Sequence, residues 1–68
     1  MTASELRYFR ALCLAYALAP DRSHEEQTLG ELIEDAQLRL NISSFDLDGY
    51  QREASTIATV TRNQERVQ

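Results

Sequence analysis

Cys13 and His24 have the side-chain types that most often act as nucleophile, general base or soft metal ligand, and each type occurs once in this sequence. A catalytic thiol needs an activating base and access to solvent. Cys13 instead shares a helical stripe with Leu6, Phe9 and Tyr16, which predicts a buried and unreactive thiol. One histidine with no second soft ligand cannot complete a zinc site. We therefore expect neither nucleophilic catalysis nor a metal centre at these residues.

The segment Asp46-Leu47-Asp48-Gly49, followed by Glu53, contains the carboxylates that calcium prefers as ligands. An EF-hand loop needs a third acidic or Asn ligand before the glycine and a Glu six positions after it, and neither spacing occurs here. Asp46 or Asp48 as the N-cap of a helix explains the pattern better. The chain also lacks a Gly-rich phosphate loop. The sequence thus predicts a protein that is not an enzyme, with no catalytic residues, metal or cofactor.

The stretch that begins at Ala36 resembles a helix-turn-helix motif, because a small residue in one helix is followed by Asn41 at the turn and by Leu47 after it. DNA binding depends on cations placed near phosphates. The helix that would enter the groove instead carries Arg52 beside three carboxylates, at Asp46, Asp48 and Glu53. A small helix-turn-helix transcriptional regulator is therefore the alternative function, and nucleic-acid binding is not the expected one.

A first helix is predicted over residues 3–19. Thr2-Ala3-Ser4-Glu5 has the spacing of a capping box. The interior from Glu5 to Leu18 contains no Gly, Pro or β-branched residue, and such a composition favours helix. Pro20 ends the helix, because proline cannot continue the hydrogen-bond ladder and restricts the residue before it.

A second helix is predicted over residues 23–40. Ser23 and Glu26 have the spacing of another capping box. Asn41 suits a left-handed C-cap, with Ile42 packing back onto the helix. Apolar residues recur at helical spacing between these ends, at Leu29, Leu32, Ile33, Ala36 and Leu40.

A third helix is predicted over residues 44–66. Its β-branched run, residues 56–61, could instead form a strand. Because an isolated strand would have nothing to pair with, we expect helix, although the sequence alone leaves residues 55–61 open between the two.

The predicted fold is all-α: a helical hairpin followed by a C-terminal helix, in one domain over residues 1–68. A domain of this size buries only roughly 60% of its unfolded surface. Small proteins compensate with disulfides, a metal or a partner subunit, and a single cysteine cannot form an internal disulfide. We therefore expect a homodimeric helical bundle, in which a second copy or a partner protein covers one side of the largely apolar first helix.

The outer side of the first helix carries the candidate partner-binding surface. It combines two arginines with two leucines, and arginine, tyrosine and large apolar side chains are typical of interface hot spots. Aromatic residues of the first and third helices extend the set. The predicted partner-binding residues are Arg7, Tyr8, Arg10, Leu14, Leu18, Phe45 and Tyr50.

The charge balance indicates what kind of partner to expect. Seven arginines against eleven Asp and Glu residues give a formal charge of −4. Carboxylates can cover the positive, DNA-binding surface of a transcription factor. We expect a small acidic adaptor or inhibitor that binds and modulates a regulatory protein. The predicted acidic surface consists of Glu31, Glu34, Asp35, Asp46 and Asp48.

A single cysteine is typical of a reducing compartment, so we expect a cytoplasmic protein. The unbroken apolar run Ala11–Ala19 is far shorter than the ~20 residues that span a bilayer. The acidic balance also opposes binding to anionic lipid, so no membrane association is expected. Arginine without lysine indicates a GC-rich coding genome, which favours a phage or bacterial origin.

Overall fold

Three α-helices make up the computed structural model, which describes residues 1–67 and the side chains of residues 1–65. They are α1 (Ala3–Leu18), α2 (His24–Arg39) and α3 (Ser44–Val67), joined by short connections. The described residues are all-α and contain no strand. Each predicted helix is confirmed to within one residue at both ends, and residues 55–61 are helical.

Local hydrogen bonds fix both ends of α1. The Thr2 side chain accepts from the Glu5 N–H at 3.1 Å, and the Thr2 N–H donates to the Glu5 carboxylate at 2.9 Å, so the predicted capping box is present. At the other end the Ala19 N–H donates to the Ala15 carbonyl at 3.0 Å. Pro20 then follows and cannot continue the helix.

The start of α2 differs from the predicted capping box. The Ser23 hydroxyl accepts from the Glu26 N–H at 3.1 Å, as expected. The Ser23 N–H, however, donates to the Pro20 carbonyl at 3.2 Å in the preceding turn, so the cap is one-sided. This tight turn also holds Arg22 at a φ of 59°, in the left-handed region.

The end of α2 has the predicted left-handed cap. Asn41 has a φ of 57°, and the Ile42 N–H donates to the Gln37 carbonyl at 2.9 Å. The Asn41 N–H donates to the Leu38 carbonyl at 3.3 Å, which completes a Schellman motif. Ile42 is buried, so the turn that directs the chain into α3 is also fixed to the core.

The N-cap of α3 is Ser43, so the prediction that Asp46 or Asp48 caps this helix was wrong. The Ser43 hydroxyl accepts from the Asp46 N–H at 3.1 Å. Asp46 therefore lies inside the first turn, where a carboxylate still interacts favourably with the positive end of the helix. The serine takes the cap because a cap side chain must precede the turn whose N–H groups it accepts from.

The threonine-rich part of α3 is helical, and its hydroxyls find partners inside the helix. Thr56, Thr59 and Thr61 each donate to the carbonyl four residues earlier, at 2.9–3.0 Å. Such bonds satisfy the polar groups of β-branched residues without a neighbouring strand.

The first helix lies between the other two. α1 packs along both α2 and α3, whereas α2 and α3 barely touch each other. Arg10 contacts Glu53, and Ala17 contacts Arg62 further along both helices, so α1 and α3 run parallel. α1 and α3 therefore lie side by side and together form one outer surface of the protein. The end of α2 lies near the start of α1, since Gly30 is beside Tyr16 and the charge of Arg39 acts on Glu5, so α2 runs the opposite way.

The core is small and rich in alanine. Gly30 of α2 lies beside the Tyr16 ring of α1, and a Cβ atom there would be 3.4 Å from the ring, which is an ordinary contact distance. Phe9 and Cys13 are the largest side chains that are fully buried. The buried apolar residues are Phe9, Leu12, Cys13, Ala19, Ile33, Ala36, Ile42, Ala54 and Ala58.

Candidate interaction site

A shallow groove of about 190 Å³ runs between α1 and α3. Its lining is mainly apolar, and its charged groups are Arg10 of α1 and Glu53 of α3, which form an ion pair across it. This pair raises the pKa of the Arg10 guanidinium, mainly through the hydrogen bond to Glu53. The residues that line the groove are Arg10, Ala11, Leu14, Tyr50, Glu53, Ala54 and Ile57.

The groove brings together three of the predicted partner-binding residues, and two of them are less available than expected. Leu14 is half-buried against the core, so the side of α1 that we assigned to another molecule is partly covered by α3. Tyr50 is also half-buried, and its ring meets that of Phe9 edge to face with centroids 5.7 Å apart. Tyr50 thus belongs largely to the core. Because α1 and α3 run parallel, the first halves of the two helices lie side by side, and this brings Tyr50 next to Phe9.

The remaining predicted partner-binding residues are exposed but do not line this groove. Leu18 lies one helical turn beyond Leu14 and is 40% exposed. Arg7 and Tyr8 lie near the start of α1. Phe45 is 86% exposed in the first turn of α3. The structure therefore does not unite all seven residues in one site.

Two apolar residues of this region, Ile57 and Val60, were not among the predicted partner-binding residues. They are 43% and 51% exposed, respectively. The buried face of α3 is centred on Ala54 and Ala58, so Ile57 falls at its edge and Val60 beyond it. Helical spacing in the sequence already indicates that Ile57 and Val60 lie near each other, because residues three apart on a helix are neighbours. The spacing does not show which residues lie at the middle of the buried face.

The acidic residues of the chain are concentrated on α2. This helix has five carboxylates and one arginine, a net charge of −4, while the rest of the chain has six carboxylates and six arginines. The helix therefore carries a charge equal to that of the whole protein. Its predicted site residues Glu31, Glu34 and Asp35 are all exposed, and no ion pair engages them within residues 1–65.

Asp46 and Asp48 are exposed on α3 and do not belong to the α2 surface. Asp48 accepts from Arg52 at 3.0 Å, so part of its charge is compensated by its own helix. The predicted acidic surface is thus divided between two helices, and its uncompensated part is on α2.

The two groups considered for catalysis lie on different helices, Cys13 on α1 and His24 at the start of α2. Burial, followed by the charge of Glu53, raises the pKa of the Cys13 thiol, which disfavours the reactive thiolate. His24 is exposed in the first turn of α2. Within the described residues, no three His, Cys, Asp or Glu side chains lie together as a metal ion requires. No helix in the same part of the chain has the length and apolarity needed to cross a membrane.

These features define a small three-helix protein of the all-α class, in which α2 is acidic and a mainly apolar groove lies between α1 and α3. Comparison with family models, with curated proteins and with solved structures finds no match to the chain.

Proposed function

We propose that the protein is a non-enzymatic adaptor or inhibitor, acting as a cytoplasmic homodimer, that binds a regulatory protein through α2. The observation that carries this proposal is the concentration of the net charge of −4 on one exposed helix. A surface of one sign attracts a surface of the opposite sign and increases the rate of association. The partner surface is therefore cationic, such as the DNA-binding face of a transcription factor.

Apolar side chains among the carboxylates give α2 contact area as well as charge. Leu38 is 83% exposed and Leu32 is 41% exposed, on the helix that presents Glu31 and Asp35. Buried apolar contacts supply most of the affinity of an interface, whereas rim charges supply specificity and on-rate. Leucines next to carboxylates suit a basic groove that has an apolar floor.

The helix-turn-helix alternative has weaker support. Asp46, Asp48 and Glu53 lie on α3, the helix that would read the groove, and Arg52 is engaged by Asp48. The two helices of the motif also barely pack on each other. Carboxylates facing phosphates would repel DNA.

The proposal is tested by capture of partners from lysate, with and without nuclease, using two variants of equal net charge. One removes three charges from α2 by Glu31→Gln, Glu34→Gln and Asp35→Asn. The control removes three charges from α3 by Asp46→Asn, Asp48→Asn and Glu65→Gln. We expect the α2 variant to lose a nuclease-resistant protein partner at least about tenfold, and the control to change its recovery less than about threefold.

Either of two results would overturn the proposal. Equal losses in the two variants would show that net charge, rather than the α2 surface, determines binding. Recovery of nucleic acid, or of proteins that nuclease removes, would favour the helix-turn-helix alternative.

A further inference from the structure

From Ala54 to Val60, α3 places its small apolar residues inside and its larger ones outside. Ala54 and Ala58 are buried in the core, whereas Ile57 and Val60 remain about half exposed. Leu18 of α1 is similarly exposed one turn beyond Leu14, and the two helices run parallel. A surface that continues the groove is thus formed by Ala11, Leu14, Leu18, Ile57 and Val60, which we call the α1/α3 face.

The chain exposes more surface than its mass requires. Its accessible area is 5260 Å², while a monomeric protein of 7.8 kDa exposes about 4,400 Å². Its radius of gyration is 12.5 Å, compared with about 11 Å for a compact chain of this length. This excess of about 900 Å² over the whole chain is of the same order as the roughly 800 Å² that each partner contributes to a stable interface.

Charge distinguishes the faces through which two copies could meet. Two α2 helices, each with a net charge of −4, would repel each other. The groove of the α1/α3 face has only Arg10 and Glu53 as charged residues, and these neutralise each other. The groove itself therefore adds no net repulsion between two copies that meet through it.

We propose that the α1/α3 face binds the same face of a second copy, so that the protein is a homodimer with α1 and α3 of each chain at the interface. An identical patch on both subunits satisfies two-fold symmetry, the commonest symmetry of protein oligomers. The interface also enlarges an alanine-rich core, which a chain of this size needs. This inference rests on the homodimeric state included in the proposed function and leaves α2 free for another protein.

Sedimentation equilibrium of the full chain, loaded from about 1 to about 500 µM, tests the inference. We expect a mass near twice 7.8 kDa at high concentration. Leu18→Glu and Ile57→Glu should each weaken the dimer at least about 30-fold, because the interface would then bury an unpaired carboxylate. Both side chains are at least 40% exposed in the single chain, so the fold should persist, which far-UV circular dichroism checks.

Leu38→Glu is the matched control, since it replaces an exposed leucine on α2. It should change the dimer constant less than about threefold. A wild-type protein that stays monomeric at every concentration would refute the inference. So would a dimer that survives the Leu18→Glu, Ile57→Glu double variant, or that Leu38→Glu dissociates. The Ile57→Glu variant is also tested for capture of the protein partner. Because this variant leaves α2 unchanged, capture by its monomer would show that the α2 proposal holds even if the dimer proposal fails.

Discussion

Replacing Ala54 by leucine tests whether the alanine face of α3 is as closely packed as the structure shows. Ala54 is 4% exposed and lies against α1. Leucine would add three heavy atoms to a side chain that is already almost fully covered, and the groove that Ala54 also lines is shallow and open to solvent, so we expect strained rotamers or a separation of the two helices. Overpacking of this kind costs about 1–3 kcal/mol.

This cost converts into a measurable shift of the unfolding temperature. An entropy of about 2.1 cal/mol/K for each residue gives about 140 cal/mol/K over the 68 residues. Each kcal/mol therefore lowers Tm by about 7 °C, and Ala54→Leu should lower it by about 7–20 °C. The assay is thermal unfolding followed by circular dichroism, at one protein concentration because dimerisation would make Tm concentration-dependent.

Ala15→Leu provides the matched control, because Ala15 is exposed on α1 and does not line the groove. Its Tm should change by less than about 4 °C, equivalent to about 0.5 kcal/mol. An unchanged or raised Tm in Ala54→Leu would refute the packing described for α1 and α3.

Three further predictions concern local features of the chain. Arg22→Gly should raise the free energy of unfolding by about 0.5–1 kcal/mol, because glycine adopts the positive φ without strain. Asn41→Val should lower it by about 1 kcal/mol or more, because a β-branched residue is strained at positive φ. Urea titration measures both free energies. Hydrogen bonds from the Thr2 N–H and then the Thr2 hydroxyl lower the pKa of Glu5, so its contribution to stability is present above the pKa of the unfolded chain and lost as pH falls through the folded value. The Tm difference between wild type and Glu5→Gln should therefore shrink from pH ~7 to pH ~3, and a constant difference would contradict this. Cys13 should react with a thiol reagent at least about 100-fold faster in denaturant than in the native protein, since burial raises its pKa and blocks access; equal rates would show that the thiol is accessible.

Helix boundaries could be predicted because their causes are local. The capping residues Thr2, Ser23 and Asn41 act within a few residues of themselves, and Pro20 ends a helix by its own chemistry. The cap of α3 was assigned to Asp46 or Asp48 when Ser43 was available, because several good cap residues occur close together there.

The arrangement of the helices could not be predicted in the same way. Whether α3 or a second chain covers Leu14 depends on contacts between residues more than thirty positions apart, which periodicity does not encode. The same limit applies to Tyr50 and Ile57. A small rotation of α3 about its axis changes which residues face the core, and in the structure Tyr50 faces it while Ile57 lies at the edge. The acidic face of α2 was accessible to sequence reasoning, because charge on one helix is a local property.

The measurement that tests the central claim most directly is the salt dependence of affinity for the captured protein partner, compared between wild type and the variant with Glu31→Gln, Glu34→Gln and Asp35→Asn. If α2 binds a cationic surface, wild-type affinity should fall at least about tenfold between about 50 and about 500 mM NaCl, because salt screens exposed charges. The variant should bind weakly at low salt and change less than about threefold over the same range. Equal salt slopes for the two proteins, or wild-type affinity that salt does not alter, would contradict the account.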